Sequence, residues 1–192
     1  MTPNDSPLVS RLVLVTVAIW FLLELRQSRR QRPEATLVDR GSRSVIRLSI
    51  LIACAAAFTV REMIPSGTIR SGVLASSIGI ALIWCGVGLR LWSFQTLGQY
   101  FTFTVQTSHD QPVICAGPYR VIRHPSYAGI LLALFGFGFM TDNWASLAVL
   151  VVIALSGLVY RITVEERALS KDLGGRYQSY AKSRKRLIPL IW

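Results

Sequence analysis

Five apolar runs separated by arginine-rich segments constrain this chain more than any other feature. They extend over about Leu8 to Leu25, Val45 to Val60, Gly72 to Leu89, Ser126 to Met140 and Trp144 to Tyr160. A helix of about 20 apolar residues crosses the ~30 Å hydrocarbon core of a bilayer, where backbone polar groups must be paired within the protein. With 52% of 192 residues hydrophobic and gathered in this way, the expected fold is all-α: a polytopic membrane helical bundle of about five transmembrane helices. The fourth run is short for a full crossing, so the last pair of helices is expected to be partly inserted or to sit in a thinned bilayer. Met1 to Pro7 has no basic residue and the first run passes straight into arginines, so no cleavable signal peptide is expected.

The basic residues orient the bundle. Seven arginines lie between the first two runs (Arg26, Arg29, Arg30, Arg32, Arg40, Arg43 and Arg47), and Arg90, Arg120 and Arg123 lie between the third and fourth. Eight more Lys and Arg follow from Arg161 onward, which puts 18 of the 21 on one side. By the positive-inside rule that side, with the C-terminus, is cytoplasmic and the N-terminus is outside. The net charge of +11 is then explained by topology and attraction to membrane lipids, and no nucleic-acid partner is expected. Three cysteines and two histidines lack the spacing of a disulfide framework or a zinc site, so no metal is expected. Ser71, Ala75 and Gly79, like Gly129 and Ala133, are small residues spaced for close helix packing. Arg90 is expected to snorkel to the cytoplasmic surface, with a place facing a cofactor cavity as the alternative.

Chemistry concentrates where a polar loop meets the fourth run, at Gly117-Pro118-Tyr119-Arg120-Val121-Ile122-Arg123-His124-Pro125-Ser126-Tyr127. Pro125 suits the first turn of a helix, which places Arg123 and His124 at a helix N-terminus whose free N–H groups and dipole suit a carboxylate or phosphate. Thr141-Asp142-Asn143 is a polar break, after which the fifth run returns and ends in Arg161, Glu165 and Glu166. Legs of roughly 16 and 17 residues match in length, so these three should lie level with Arg123, His124 and Tyr127. Arg161 and Glu165, four apart, share a face.

Taken singly, each element has a plainer reading. Arg123-His124-Pro125 could be an interfacial anchor, Glu165 and Glu166 the solvated end of a helix with an Arg161–Glu165 salt bridge, and Tyr119 and Tyr127 interfacial aromatics. Convergence of both clusters on one side favours a ligand site, because anchoring does not explain the acidic residues.

Leu97-Gly98-Gln99-Tyr100-Phe101-Thr102, Gly117-Pro118-Tyr119, Arg123 to Gly129, Glu165-Glu166, Gly175-Arg176-Tyr177-Gln178-Ser179-Tyr180 and Arg186-Leu187-Ile188-Pro189 occur in that order. This series, from Arg90 to Pro189, resembles the isoprenylcysteine carboxyl methyltransferase family in its short prokaryotic form. The resemblance implies an integral membrane enzyme of a bacterial or archaeal cytoplasmic membrane. It would use S-adenosylmethionine as methyl donor, bound by the C-terminal hairpin, and a lipophilic acceptor, prenylcysteine-like or lipid, entering from the bilayer.

Residue by residue, the resemblance assigns cofactor contact to Tyr119, Arg123, His124, Pro125, Ser126, Tyr127 and Glu165, to the stretch Gln111, Pro112, Val113 and Ile114, and to Gln106. Arg161 corresponds to an arginine acting on the acceptor side. Glu166 or Tyr119 would serve as base only for an acceptor that must lose a proton. Residues 1–70 are expected to form N-terminal helices with an arginine-rich loop, and residues 71–192 the methyltransferase core. The acceptor stays open among a prenylcysteine carboxylate, a phospholipid amine and a small thiol. A sterol-reductase-like activity with a nicotinamide cofactor and a non-enzymatic binding or assembly role are the other classes. The basic tail Lys182 to Arg186 is expected to lie along the interface, to fold over the donor as a lid, or both.

Overall fold

A computed structural model describes residues 41–69, 72–101, 106–107, 112–189 and 191–192, with 36–37 and single positions 11, 15, 16, 18, 19 and 22. The first apolar run lies mostly outside the described residues. The other four runs form α1 (Ser42–Met63), α2 (Gly72–Leu97), α3 (Pro125–Met140) and α4 (Trp144–Leu173), and a short α5 (Gly175–Ser183) follows. Helices α1, α2 and α4 are long and apolar enough to cross a membrane. Helix α3, at 16 residues, rises only about 24 Å and is short for a crossing, as expected.

Two helices outrun their apolar stretches. Helix α2 continues through Arg90 to Leu97, and α4 continues through Arg161, Glu165 and Glu166 to Leu173. Neither extension contains glycine or proline, and each stops before a glycine with φ +54°, Gly98 and Gly174. Hydropathy marked where the apolar stretch ends, whereas glycine in the left-handed region marks where the helix ends. Arg90 is therefore a helical residue and not part of a loop.

The hairpin turn forms as expected. Asn143 caps α4, its Oδ1 accepting the Ser146 N–H at 3.0 Å, while its Nδ2 donates to the Ile64 carbonyl at 2.7 Å. The Ile69 N–H donates to the Asp142 carbonyl at 3.1 Å, so the end of α1 and the α3–α4 turn share one end of the bundle. The start of α1, the end of α2, the start of α3 and the charged part of α4 share the other.

The hairpin helices do not choose each other as main partners. Helix α3 packs most extensively on α2, and α4 on α1. Backbone approach explains the first pairing: a Cβ on Gly129 would sit 2.6 Å from the Gly86 carbonyl oxygen, and one on Gly136 would sit 2.5 Å from that of Gly79. Small-residue packing was legible at Gly79, Gly129 and Ala133, but Gly86 and Gly136, the residues opposite, complete it. In the second pairing Ala53, Ala57, Leu150, Ala154 and Leu158 are fully buried, and Ser146 Oγ donates to the Ala57 carbonyl at 2.8 Å. Leu48, Leu51, Ile52 and Val152 point outward, the arrangement expected where the surrounding solvent is lipid.

One small tie is not helical. Thr36–Leu37 (β1) pairs antiparallel with Gln106–Thr107 (β2), with Thr36 opposite Thr107 and Leu37 opposite Gln106.

Candidate active site

The loop before α3 is shaped by its glycine and prolines. Gly117 opens a 3₁₀ turn, Gly117–Arg120, at φ +52°, and a Cβ there would lie 2.7 Å from Thr96 Oγ1. Both conformation and space require glycine. Pro118 and Tyr119 are buried, and the Tyr180 hydroxyl donates to the Tyr119 carbonyl at 2.9 Å. Burial, followed by the charge of Glu165, raises the Tyr119 phenol well above its ordinary value, so it stays protonated at neutral pH. Burial likewise raises Tyr177, with Glu166 and Glu165 adding to the shift.

His124 occupies the N-cap of α3 and Pro125 its first turn. Two backbone donors just before the helix are engaged by the tail. The Arg123 N–H donates to the Lys185 carbonyl at 2.8 Å and the His124 N–H to the Arg186 carbonyl at 3.0 Å, beside a parallel bridge between Ile122 and Lys185. The tail, rather than a ligand, takes these two donors.

Side chains from α1, α3, α4 and the tail then converge. The Tyr127 hydroxyl donates to Glu165 Oε2 at 2.6 Å and accepts from Arg161 Nε at 3.0 Å. Arg161 Nη1 donates to Ser42 Oγ at 2.5 Å. His124 stacks on Tyr127 with ring centroids 5.6 Å apart; its Nε2 lies 3.1 Å from Glu166 Oε1 and its Nδ1 4.0 Å from Glu165 Oε1. Glu166 also receives Arg123 Nη1 at 2.8 Å and Arg186 Nε at 3.0 Å.

The two glutamates therefore differ. Both oxygens of Glu166 are held in a clasp of three basic side chains, an arrangement suited to fixing structure. Glu165 is more open, its side chain 29% accessible, and its Oε1 lies beyond hydrogen-bond distance of His124. It can still accept hydrogen bonds from a ligand.

Arg90 corrects a second expectation. It is 6% exposed and does not snorkel: its Nη1 donates to Ser126 Oγ at 2.6 Å and to the Ser126 carbonyl at 3.3 Å, with the guanidinium 4.7 Å from the Phe94 ring centroid. The register that sets Gly86 against Gly129 sets Arg90, one turn further along α2, against Ser126.

Of the residues named from sequence, Arg123, His124, Tyr127, Arg161, Glu165 and Glu166 form one connected cluster, with Tyr119, Pro125 and Ser126 buried around it. Pro112 is exposed and Val113 and Ile114 are half-buried in the irregular segment leading to Gly117. Gln111 lies outside the described residues. Gln106 is placed by its backbone in β2, its side chain outside the description. Sequence reasoning missed Ser42 and the orientation of Arg90, and it named Arg186 as part of a family motif and a basic tail without assigning it to the site. No local pattern pairs Ser42 with Arg161 or Arg186 with Glu166.

A family model described as phospholipid methyltransferase matches residues 74–176. Among curated proteins the chain is 30% identical over 118 residues to protein-S-isoprenylcysteine O-methyltransferase A of Arabidopsis thaliana, covering 60% of each chain. It is 26% identical over 161 residues to a probable protein-S-isoprenylcysteine O-methyltransferase of Oryza sativa subsp. indica, covering 79% of this chain and 84% of the rice protein. It thus spans about 60% of the length of the Arabidopsis relative. The fold is similar to the structure of a eukaryotic intramembrane Ras methyltransferase, isoprenylcysteine carboxyl methyltransferase, with a TM-score of 0.62 and 24% identity, over 76% of this chain and 52% of that one. With the motif series converging on one site and the family model matched over more than half of its length, the chain belongs to the phospholipid methyltransferase family, alongside the isoprenylcysteine carboxyl methyltransferases it matches.

Proposed function

We propose that this protein is an integral membrane methyltransferase of the isoprenylcysteine carboxyl type, using S-adenosylmethionine and methylating a lipophilic acceptor at the cytoplasmic face. The observation that carries this reading is the Arg161–Tyr127–Glu165 chain, which holds a positive and a negative group on one hydroxyl. The orientation follows from basic residues gathered at the end of the bundle that bears this chain.

The donor set fits S-adenosylmethionine. Glu165 has acceptor capacity left for a ribose hydroxyl or an ammonium group, and the stacked His124 and Tyr127 rings lie next to it. We assign donor contact to Tyr119, Arg123, His124, Pro125, Ser126, Tyr127 and Glu165 and, on the family resemblance alone, to Gln106, Gln111, Pro112, Val113 and Ile114. When bound, S-adenosylmethionine supplies an electrophilic methyl on a sulfonium, which it would donate to an acceptor carboxylate oxygen, leaving as the neutral thioether.

What the chain must add is mainly position, because an ionised carboxylate is already a nucleophile. Arg161 is buried and held at two of its nitrogens, so its charge can neutralise and orient an acceptor carboxylate. At about 4 Å and an effective dielectric near 20, such a pair is worth about 4 kcal/mol before desolvation. Glu166, fully engaged by Arg123, His124 and Arg186, is assigned a positioning role, and no proton needs to move in carboxyl methylation.

Calorimetric titration of S-adenosylmethionine into the purified protein, its Glu165→Gln and its His124→Ala variant tests the donor site, followed by turnover with N-acetyl-farnesylcysteine. Binding by the parent that both variants lose, with a methyl ester as product, is the expected result. Folded parent protein that neither binds the donor nor makes ester overturns the reading. Methyl transfer only to an amine or thiol keeps the donor site and replaces the acceptor.

A further inference from the structure

Arg123 and Arg186 have a second environment besides Glu166. With Lys182, Arg184, Lys185 and Trp192 they line a cavity of about 250 Å³ where the tail folds back on the loop before α3. Five cationic side chains surround this space and no Asp or Glu lines it. Glu166 pairs with two of the five, and no ion pair engages Lys182, Arg184 or Lys185 among the described residues. Among the described residues Glu166 sets one negative charge against these five cations. Holding like charges around one cavity is unfavourable unless an anion joins them.

The polar atoms point to the kind of anion. Arg123 Nε and Arg184 Nε are buried without a hydrogen-bond partner. An oxyanion with several acceptor oxygens would satisfy them and take charge-assisted bonds from the surrounding basic side chains, as phosphate does with Arg and Lys. The apolar neighbours point to its source. Ile191, which lines the cavity, is 71% exposed, and Ile188 and Val121, near it in sequence or next to the Ile122–Lys185 bridge, are 44% and 55% exposed; Trp192 lies under the Arg186 guanidinium at 5.3 Å. Exposed aliphatic and indole groups next to cations are the composition of a surface seated at the boundary between headgroups and acyl chains.

We propose that this cavity binds the phosphate of an anionic lipid headgroup, with the acyl chains running past Ile188 and Ile191. This inference goes beyond methyl transfer and does not rest on it. Its consequence for the neighbouring site is mechanical: Arg186 and the carbonyls of Lys185 and Arg186 bind Glu166, Arg123 and His124, so a lipid phosphate would hold the tail in the place where it completes the cluster.

The test is a calorimetric titration of the full chain in neutral detergent with dioctanoyl phosphatidylglycerol, dioctanoyl phosphatidylcholine and inorganic phosphate. The parent is compared with the double variant Lys182→Gln/Lys185→Gln, whose folding is checked by circular dichroism. Saturable binding of phosphatidylglycerol, about tenfold tighter than phosphatidylcholine and weakened about tenfold or more in the double variant, is expected. Equal binding of the two lipids, or a double variant that binds as the parent does, overturns the proposal. Inorganic phosphate binding as tightly as phosphatidylglycerol overturns the lipid source while keeping a phosphate site. Displacement of the lipid by S-adenosylmethionine gives the cavity to the methyl donor and likewise overturns it.

Discussion

Arg161 Nη1 donates a 2.5 Å hydrogen bond to Ser42 Oγ, joining residues 119 apart in the chain. Ser42 is fully buried at the start of α1, and it lies outside residues 74–176, the span matched by the family model. The guanidinium thus has one support from α3, through Tyr127, and another from a helix that carries none of the recognised motifs. Ser42→Ala removes this hydrogen bond from a buried guanidinium. Turnover should fall about tenfold, the kinetic equivalent of about 1.4 kcal/mol, with donor affinity unchanged. Arg161→Ala should fall further, by about a hundredfold or more. Steady-state rates beside donor titrations check both; a Ser42→Ala variant as active as the parent would show that the Ser42 bond is not needed to hold Arg161.

Tyr127→Phe removes the hydroxyl that Glu165 and Arg161 share. Donor affinity and turnover should both decrease, and a double-mutant cycle with Glu165→Gln should show coupling on the order of 1–2 kcal/mol in donor binding. Additive effects would mean that the 2.6 Å bond to Glu165 has no role in holding the donor.

Glu166→Gln weakens the clasp on Arg123, His124 and Arg186. Because Arg186 is partly exposed, the loss should be smaller than for a wholly buried pair, about 2 kcal/mol. The tail after Ser183 should become more protease-sensitive and exchange amide hydrogens faster, with α1 and α2 unaffected. Protection equal to that of the parent would assign the tail's hold to its carbonyl bonds with Arg123 and His124.

Gly129→Val tests the helix pairing that positions Arg90. A Cβ at this position already meets the Gly86 carbonyl oxygen at 2.6 Å and Arg90 Cβ at 3.2 Å, so α2 and α3 must separate. A loss of about 1–3 kcal/mol in a detergent unfolding experiment is expected. Donor binding should weaken as well, since the Arg90 bonds to Ser126 stretch with the same movement.

The pH dependence follows from tyrosines outside the spans. Burial raises the phenols of Tyr119, Tyr177 and Tyr180 above their ordinary value of 10.0. For a group whose folded pKa is raised, the contribution to stability is fully present below the unfolded pKa and is lost as pH rises toward the folded one. Stability should therefore be insensitive to these groups below about pH 9 and fall above pH 10, each adding a slope of up to about 1.4 kcal/mol per pH unit. Unfolding followed across that range, with phenolate absorbance recorded in parallel, checks the assignment. Full ionisation of the tyrosines while the protein remains folded would refute it.

Much of the site was legible before any coordinates. The lengths of the fourth and fifth apolar runs and the Thr141-Asp142-Asn143 break are local, and they alone bring His124 and Tyr127 level with Arg161 and Glu165. Helical spacing put Arg161 and Glu165 on one face, where both now reach the Tyr127 hydroxyl. Hydropathy was a poorer guide to helix ends, because the helical backbone continues past the apolar stretch until a glycine stops it, as at Gly98 and Gly174.

The sequence by itself determined the helical membrane class, the hairpin and the motif residues at its open end, since run length, helical period and turn chemistry act over a few residues. Tertiary structure alone decided which helices pair and which distant groups complete the site. Arg90 meets Ser126 across 36 residues, Arg186 meets Glu166 across 20, and Arg161 meets Ser42 across 119. No periodicity links such positions. Their partners are set by the register of whole helices, which close backbone approach at Gly79, Gly86, Gly129 and Gly136 fixes for α2 and α3, and by a tail whose carbonyls dock on the backbone of the loop before α3.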